Sequence, residues 1–403
     1  MTDPQDHHDG TAPEESPRPS PAHDDGATAD DPRTGHSGPA PDPAEPVSRR
    51  TALTIGGVGL AAVLGTGGLA LPLPRSLGKI TGDEALAEAV RDHLDGHSRV
   101  AVTLIDNDGS IRFAGFGVEE TTEFEIGSVS KGFTGNLLAL GIEKDGLHLE
   151  TTVEDVLGER ANGSAIADVT LQELATHTAG LPPATPSATL GGTWRHMLRK
   201  DPHGFQDVDD VLDGALDLEP ADRGEQAYSN LGVGLLGQLL ALAAGTDYGS
   251  LLRERILDPL DMGSTYVPVT PEGLRDSAVR GHTPQGHHSG HWTLGGVAPA
   301  GGIRSTPADM TVFLTGMIDG STPGASAATE VLFEDGDKHR AMCWIQLLRD
   351  DQPTIHWHNG MTGGFASFCG WIPETGRGVM LMSATALSLD ELAIGLLTEE
   401  VSA

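Results

Sequence analysis

The sequence predicts an α/β (α+β) fold. One antiparallel sheet is built from strands near both ends of the folded region and flanked by helices, with a mostly helical region inserted between them. Three observations carry this. Residues 100–117 read as a β-hairpin, four period-2 segments follow residue 341, and the stretch between shows helical patterns broken by Pro and Gly.

The elements follow in order. Residues 1–47 form an acidic, Pro-rich tail with almost no large apolar side chain, so they cannot bury enough surface to offset ordering entropy and read as disordered. Residues 48–80 form a second segment. Arg49-Arg50 precedes an uncharged Gly- and Ala-rich run, which resembles a twin-arginine export signal. The alternative for residues 51–74 is a membrane anchor, although its glycines, Pro72 and Pro74 weaken a helix. Either reading places the protein outside the cell or attached to its surface. Without them it is cytoplasmic.

The folded domain spans 82–403. Val100–Asp106, Asp108-Gly109 and Ile111–Gly117 give the hairpin. Phe124–Gly127 leads into Ser128, and residues 129–144 read as a buried helix. Residues from about 145 to 290 form the helical subdomain, and Leu231–Ala244, apolar almost all round, is its interior helix. Met342–Leu348, Thr354–Trp357, Phe365–Ile372 and Gly378–Ala384 read as strands, and 388–399 as a closing helix.

The chain has 403 residues and a formal net charge of −33, which repels phosphate backbones and argues against nucleic-acid binding. Cys343 and Cys369 are the only cysteines, too few for a disulfide scaffold or a four-cysteine zinc site. They are a cross-strand disulfide or two buried thiols. His282, His287, His288 and His291 cluster in a Gly-rich stretch without a carboxylate pattern, so a solvent-exposed loop is favoured over a metal site. Asp207, Asp209, Asp210 and Asp213 read as a solvated helix start, and Asp106–Gly109 as a hairpin turn.

Three short motifs carry chemistry. Ser128 and Lys131 lie one helical turn apart, with Ser128 at a helix N-terminus where backbone N–H groups favour negative charge. A lysine held in a dry site can lose its charge and accept a serine proton. Ser76-Leu77-Gly78-Lys79 has the same spacing but sits in a Pro/Gly linker, whereas Phe124, Ile126, Phe133, Leu137 and Leu138 surround Ser128 with apolar sequence. Tyr228-Ser229-Asn230 opens the apolar helix. Its phenol suits proton transfer, while a core tyrosine and an Asn230 N-cap are the plainer readings. His358-Asn359-Gly360 follows a strand and precedes Met361, offering a strand edge to a substrate backbone.

Together these segments resemble the serine β-lactamase and penicillin-binding-protein superfamily, in the branch of class C enzymes, D,D-peptidases and esterases. Phe124–Lys131, Thr176-His177-Thr178-Ala179-Gly180-Leu181-Pro182, Ala300–Thr306 and His358–Phe365 match its landmarks in order, so the resemblance covers roughly residues 82–400. It implies a β-lactamase/transpeptidase-like fold and an acyl-enzyme on Ser128, with Lys131 and Tyr228 sharing proton transfer. It also implies an oxyanion hole from the N–H groups of Ser128 and Met361, and Asn230, His358, Asn359 and Gly360 holding substrate. No metal or organic cofactor is implied. The substrate is a D-Ala-D-Ala peptide, a β-lactam or a small ester. His358 stands where many β-lactamases carry lysine, and a mostly neutral histidine shifts the expectation toward peptidase or esterase chemistry. The rival is a penicillin- or peptide-binding sensor of the same fold. His177 is expected to stabilise its loop rather than act as a base.

Overall fold

The computed structural model describes residues 76–350 and 352–403. The readings of 1–47 as a tail and of 51–74 as a signal or anchor lie outside the described residues. The main sheet has eight antiparallel strands in the order β1-β3-β2-β10-β9-β8-β7-β6. They are β1 (Ile80–Gly82), β2 (Val100–Ile105), β3 (Ile111–Phe116), β6 (Lys338–Arg340), β7 (Ile345–Arg349), β8 (Gln352–Met361), β9 (Ala366–Ile372) and β10 (Arg377–Ser383). Pairing of Val100–Ile105 with Ser383–Gly378 joins the two ends of the folded region. A separate ribbon pairs β4 (Phe124–Glu125) with β5 (Arg304–Ser305).

The helices are α1 (Glu84–Val90), α2 (Ser130–Lys144), α3 (Val153–Leu157), α4 (Leu171–Thr176), α5 (Pro186–Met197) and α6 (Val208–Leu216), then α7 (Asn230–Ala243), α8 (Tyr248–Leu252), α9 (Pro307–Asp319), α10 (Ala325–Ala328) and α11 (Asp390–Leu397). α9 and α11 cover opposite faces of the sheet. Gly378 of β10 lies against Ile318 and Leu314 of α9, while Asn359, of opposite parity in β8, bonds Asp390 of α11. α7 is apolar almost all round because it runs through the core, where Val233, Leu235, Leu236 and Leu239 are fully buried.

Three strand readings change. Met342–Trp344 are not strand. They turn into the body of the protein, where Met342 O and the Trp344 ring press against Gly135 and Gly132 of α2. Cys343, at φ +60°, donates its N–H to Ala175 O. Thr354–Trp357 extends at both ends, because β9 matches β8 as far as Met361↔Ala366, so His358–Met361 lie within a strand. The short strands β1 and β6 carry too few residues to show a period.

A buried ion cluster braces the ribbon. Arg304 is fully buried, bonding Glu123 through Nε and Glu125 through Nη1 at 2.8 Å. Tyr266 Oη donates to Glu123 at 2.9 Å and the Trp292 N–H donates to Glu125 at 3.0 Å. Removing the cation strands two buried carboxylates. Arg304→Met should therefore lower unfolding free energy by about 3–5 kcal/mol in urea titration. A loss under 1 kcal/mol contradicts this bracing role.

Candidate active site

Phe124-Glu125 ends at a left-handed Gly127, φ +51°, which turns the chain into a 3₁₀ turn at Gly127–Val129 and then α2. Ser128 sits in that turn, at the N-terminal end of α2. The turn is wedged against β8. A Cβ on Gly127 would lie 2.7 Å from Met361 N, and one on Gly360 would lie 2.1 Å from Ile126 O and 3.0 Å from Ser128 N. Only glycine allows backbones to approach so closely. The result sets the Ser128 and Met361 N–H groups side by side. Ser367 Oγ on β9 fastens the contact by donating to Ile126 O at 2.7 Å.

Lys131 is fully buried. Its Nζ lies 2.5 Å from Ala300 O, 2.8 Å from Asn230 Oδ1 and 3.0 Å from Ser128 Oγ. Two of these neighbours only accept, so they orient two N–H bonds. The third direction points at Ser128. Burial pushes the amine down to about 7. In the neutral form the lone pair then faces the Ser128 hydroxyl. Tyr228 Oη donates to Ser128 Oγ at 2.7 Å, and Lys131 Nζ lies 4.8 Å from the Tyr228 ring centroid. Burial raises the phenol well above its ordinary value, against the opposing hydrogen bond to Ser128. It therefore keeps its proton at neutral pH.

Asn230 is the first residue of α7, not its cap. Ser229 caps the helix by accepting from Gly232 N at 2.9 Å, which frees Asn230 Oδ1 for Lys131. His177 does more than hold a loop. It ends α4 in the left-handed region at φ +62°, accepts the Ser229 N–H at Nδ1 (3.2 Å), and stacks on Tyr228 at 4.6 Å. It fixes the ring that faces Ser128.

The third motif divides between the faces of the sheet. Gly360 abuts Ser128. The Asn359 side chain points to the other face, where its Nδ2 donates to Asp390 at 2.8 Å, so only its backbone belongs to the strand edge. Its amide would be stranded if it turned inward. His358 is buried, with Nδ1 donating to Asn359 O at 2.6 Å. That bond places the proton on Nδ1 and leaves Nε2 an acceptor, buried without a partner. Desolvation, then the Lys131 charge, pushes His358 down to about 3, so it is neutral at physiological pH. The Met361 side chain is half exposed on the strand edge.

Arg340 is the group the sequence reading passed over. Arg340 of β6 pairs with Ile345 of β7, and Ile345 with Trp357 of β8. That pairing with β8 stops one residue before His358, so β6 and β7 flank the start of the open strand edge. The guanidinium is mostly buried, 3.4 Å from Asp335, with Nε unpartnered. Burial sets the shifts of His177, Tyr228 and His358, and the Arg340 charge adds a smaller contribution to each. No local motif announces it, because only the strand register brings it there.

The remaining candidates take no part. Ser76 and Lys79 are exposed in coil before β1. Cys343 and Cys369 are free, buried thiols, both pushed up to about 12 by burial. His287 and His288 are exposed, while His282 and His291 are half-buried because their loop docks on the sheet end through His282 N to Gly364 O and Ala384 O. Among the described residues no group of three or more His, Cys, Asp or Glu side chains is arranged to hold a metal.

A family model described as Beta-lactamase matches residues 86–397. The chain is 25% identical over 313 residues to a beta-lactamase of Yersinia enterocolitica, covering 67% of this chain and 76% of that protein. It is 26% identical over 234 residues to the D-alanyl-D-alanine-carboxypeptidase/endopeptidase AmpH of Escherichia coli (strain K12), covering 53% and 58%. A class C beta lactamase structure from Rhodobacter sphaeroides superposes with a TM-score of 0.66 at 23% identity, covering 80% of this chain and 100% of that one. With its antiparallel sheet, inserted helices and the match across most of its length, the chain belongs to the beta-lactamase family of serine hydrolases.

Proposed function

We propose that the chain hydrolyses a carboxylate-bearing amide of the D-alanyl-D-alanine type through an acyl-enzyme on Ser128. The observation that carries this is Ser128 Oγ, which lies within hydrogen-bond reach of both Lys131 Nζ and Tyr228 Oη. Neutral Lys131 takes the Ser128 proton as Oγ attacks the carbonyl carbon. The oxyanion that forms is held by the N–H groups of Ser128 and Met361. As the C–N bond breaks, Tyr228 passes its proton to the leaving nitrogen and is reprotonated from the Lys131 ammonium. The amine departs, leaving an ester on Ser128. Water attacks that ester by the same route in reverse, and Ser128 regains its proton.

The charges around the cleft favour an acidic leaving group. Neutral His358 offers no fixed charge, whereas Arg340, on the strands that flank the start of the open strand edge, carries one. The peptidase relative at 26% identity agrees with this reading. A β-lactam also carries a carboxylate and would form the same ester. A small neutral ester would use the machinery without Arg340.

Because Lys131 must be neutral to act, kcat/KM should rise with pH through an inflection near 7, the value to which burial pushes its amine. A flat profile from pH 5 to 9 is incompatible with Lys131 as the base. Tyr228→Phe should lower kcat by about 10²–10⁴-fold. Labelled penicillin and a p-nitrophenyl ester, followed by intact-mass analysis, should give an adduct that Ser128→Ala lacks. No adduct and no turnover with either probe would sink the enzyme reading in favour of a sensor. Arg340→Gln should raise KM roughly 10- to 100-fold for a D-alanyl-D-alanine peptide and leave a neutral ester unchanged. Equal effects on both substrates would remove Arg340 from recognition.

A further inference from the structure

α5 is built inside out. Its only buried residues are Ala188 and Gly192, and the helix is seated by small contacts, Gly191 on the Phe205 ring and Gly192 on Pro202. The large apolar side chains face outward. Leu190 is 80% exposed, Trp194 64%, Met197 60% and Leu198 52%. The spacing i, i+4, i+7, i+8 makes them one stripe. A groove of about 600 Å³ is lined by Leu190, Trp194 and Met197 of the stripe together with Pro182, Ala184 and Thr189. Ser128, Lys131, Tyr228 and Asn230 do not line it, although Pro182 at its edge accepts a hydrogen bond from Ser229.

The charge around the stripe is the second observation. The chain carries −33, yet no carboxylate occurs between Glu173 and Asp201. Arg195, Arg199 and Lys200 follow the apolar residues, with Arg199 and Lys200 exposed. Asp201 does not cancel them, because it is buried and bonded to the N–H groups of His203, Gly204, Thr293 and Leu294. An apolar stripe with an aromatic, bordered by cations on an otherwise acidic molecule, has the composition of a helix that lies in a lipid interface. An acidic protein surface would fit the cations but not the stripe.

We propose that α5 seats the protein on an anionic lipid surface, with Leu190, Trp194, Met197 and Leu198 entering the headgroup boundary and Arg199 and Lys200 meeting the lipid phosphates. This is independent of the hydrolytic reading.

The test uses the full chain and vesicles of phosphatidylcholine with or without 30% phosphatidylglycerol. Trp194 makes the readout specific, since Trp292, Trp344, Trp357 and Trp371 are all at most 7% exposed. Adding anionic vesicles should shift tryptophan emission to the blue, and brominated lipid should quench it. Trp194→Phe should abolish both signals while leaving ester hydrolysis unchanged. Co-sedimentation of R199Q/K200Q should fall roughly thirty-fold at low salt, at about fivefold for each cation lost. A wild-type protein that sediments with vesicles but shows no Trp194 shift is held by residues 51–74 instead, and overturns the proposal. So does an unchanged partition of L190S/M197S. Concentration-dependent dimerisation that Trp194→Ser abolishes, without lipid binding, would assign the stripe to a second copy and equally overturn it.

Discussion

The structure depends on burying one amine. Lys131 lies in the interior with no carboxylate beside it, only a carbonyl, an amide oxygen and a hydroxyl. A full charge there is costly, and an ion pair would restore it. Three neutral acceptors hold the group without fixing its charge. They keep both protonation states accessible near neutral pH, which the proposed role of Lys131 as a base requires. The surrounding elements supply those acceptors. α7 must begin at Asn230, the turn at Gly295–Ala300 must present a carbonyl, and α2 must start one residue after Ser128 + 1.

Placing the serine is a separate problem, solved by backbone rather than side chains. Gly127 and Gly360 let two segments distant in sequence touch, so the backbones of Ser128 and Met361 lie close together. Such precision needs stiff supports. Below the turn, Arg304 ties Glu123 and Glu125 together and joins the ribbon to Tyr266 and Trp292. These groups touch no reacting atom in this arrangement. Their work is to deny the turn an alternative position.

Much of this was legible in the sequence, for identifiable reasons. The hairpin, α2, α7 and β9–β10 stand out as apolar runs bounded by turn signals, because they are buried on nearly every side. Ser128, Lys131 and Tyr228 could be grouped from the sequence by residue type and order, and the structure brings their side chains together. What stayed hidden depends on tertiary contact. Met342–Trp344 have strand-like composition, yet glycines on α2 draw them inward. The tie of the Asn359 side chain to Asp390 was not legible, because a motif does not say which of its side chains faces which side. Arg340 has no motif at all. Its place comes from two successive strand registers, which no local window contains.

Arg340 also alters what His358 means. Taken from the motif alone, a neutral histidine removes the fixed charge that a lysine would supply and points toward peptidase or esterase chemistry. The fold adds charge back from a different strand, outside the reach of Lys131's neutral cage. The separation is physically useful. A cation placed next to Lys131 would depress the amine further and raise the cost of its ammonium form during the reaction. One set two strands from β8, partly balanced by Asp335, stands apart from the three groups bonded to Lys131. The histidine, held neutral with its proton on Nδ1, keeps Nε2 as a buried acceptor rather than a charge. On the proposed reading, carboxylate recognition and proton transfer would then fall to separate groups.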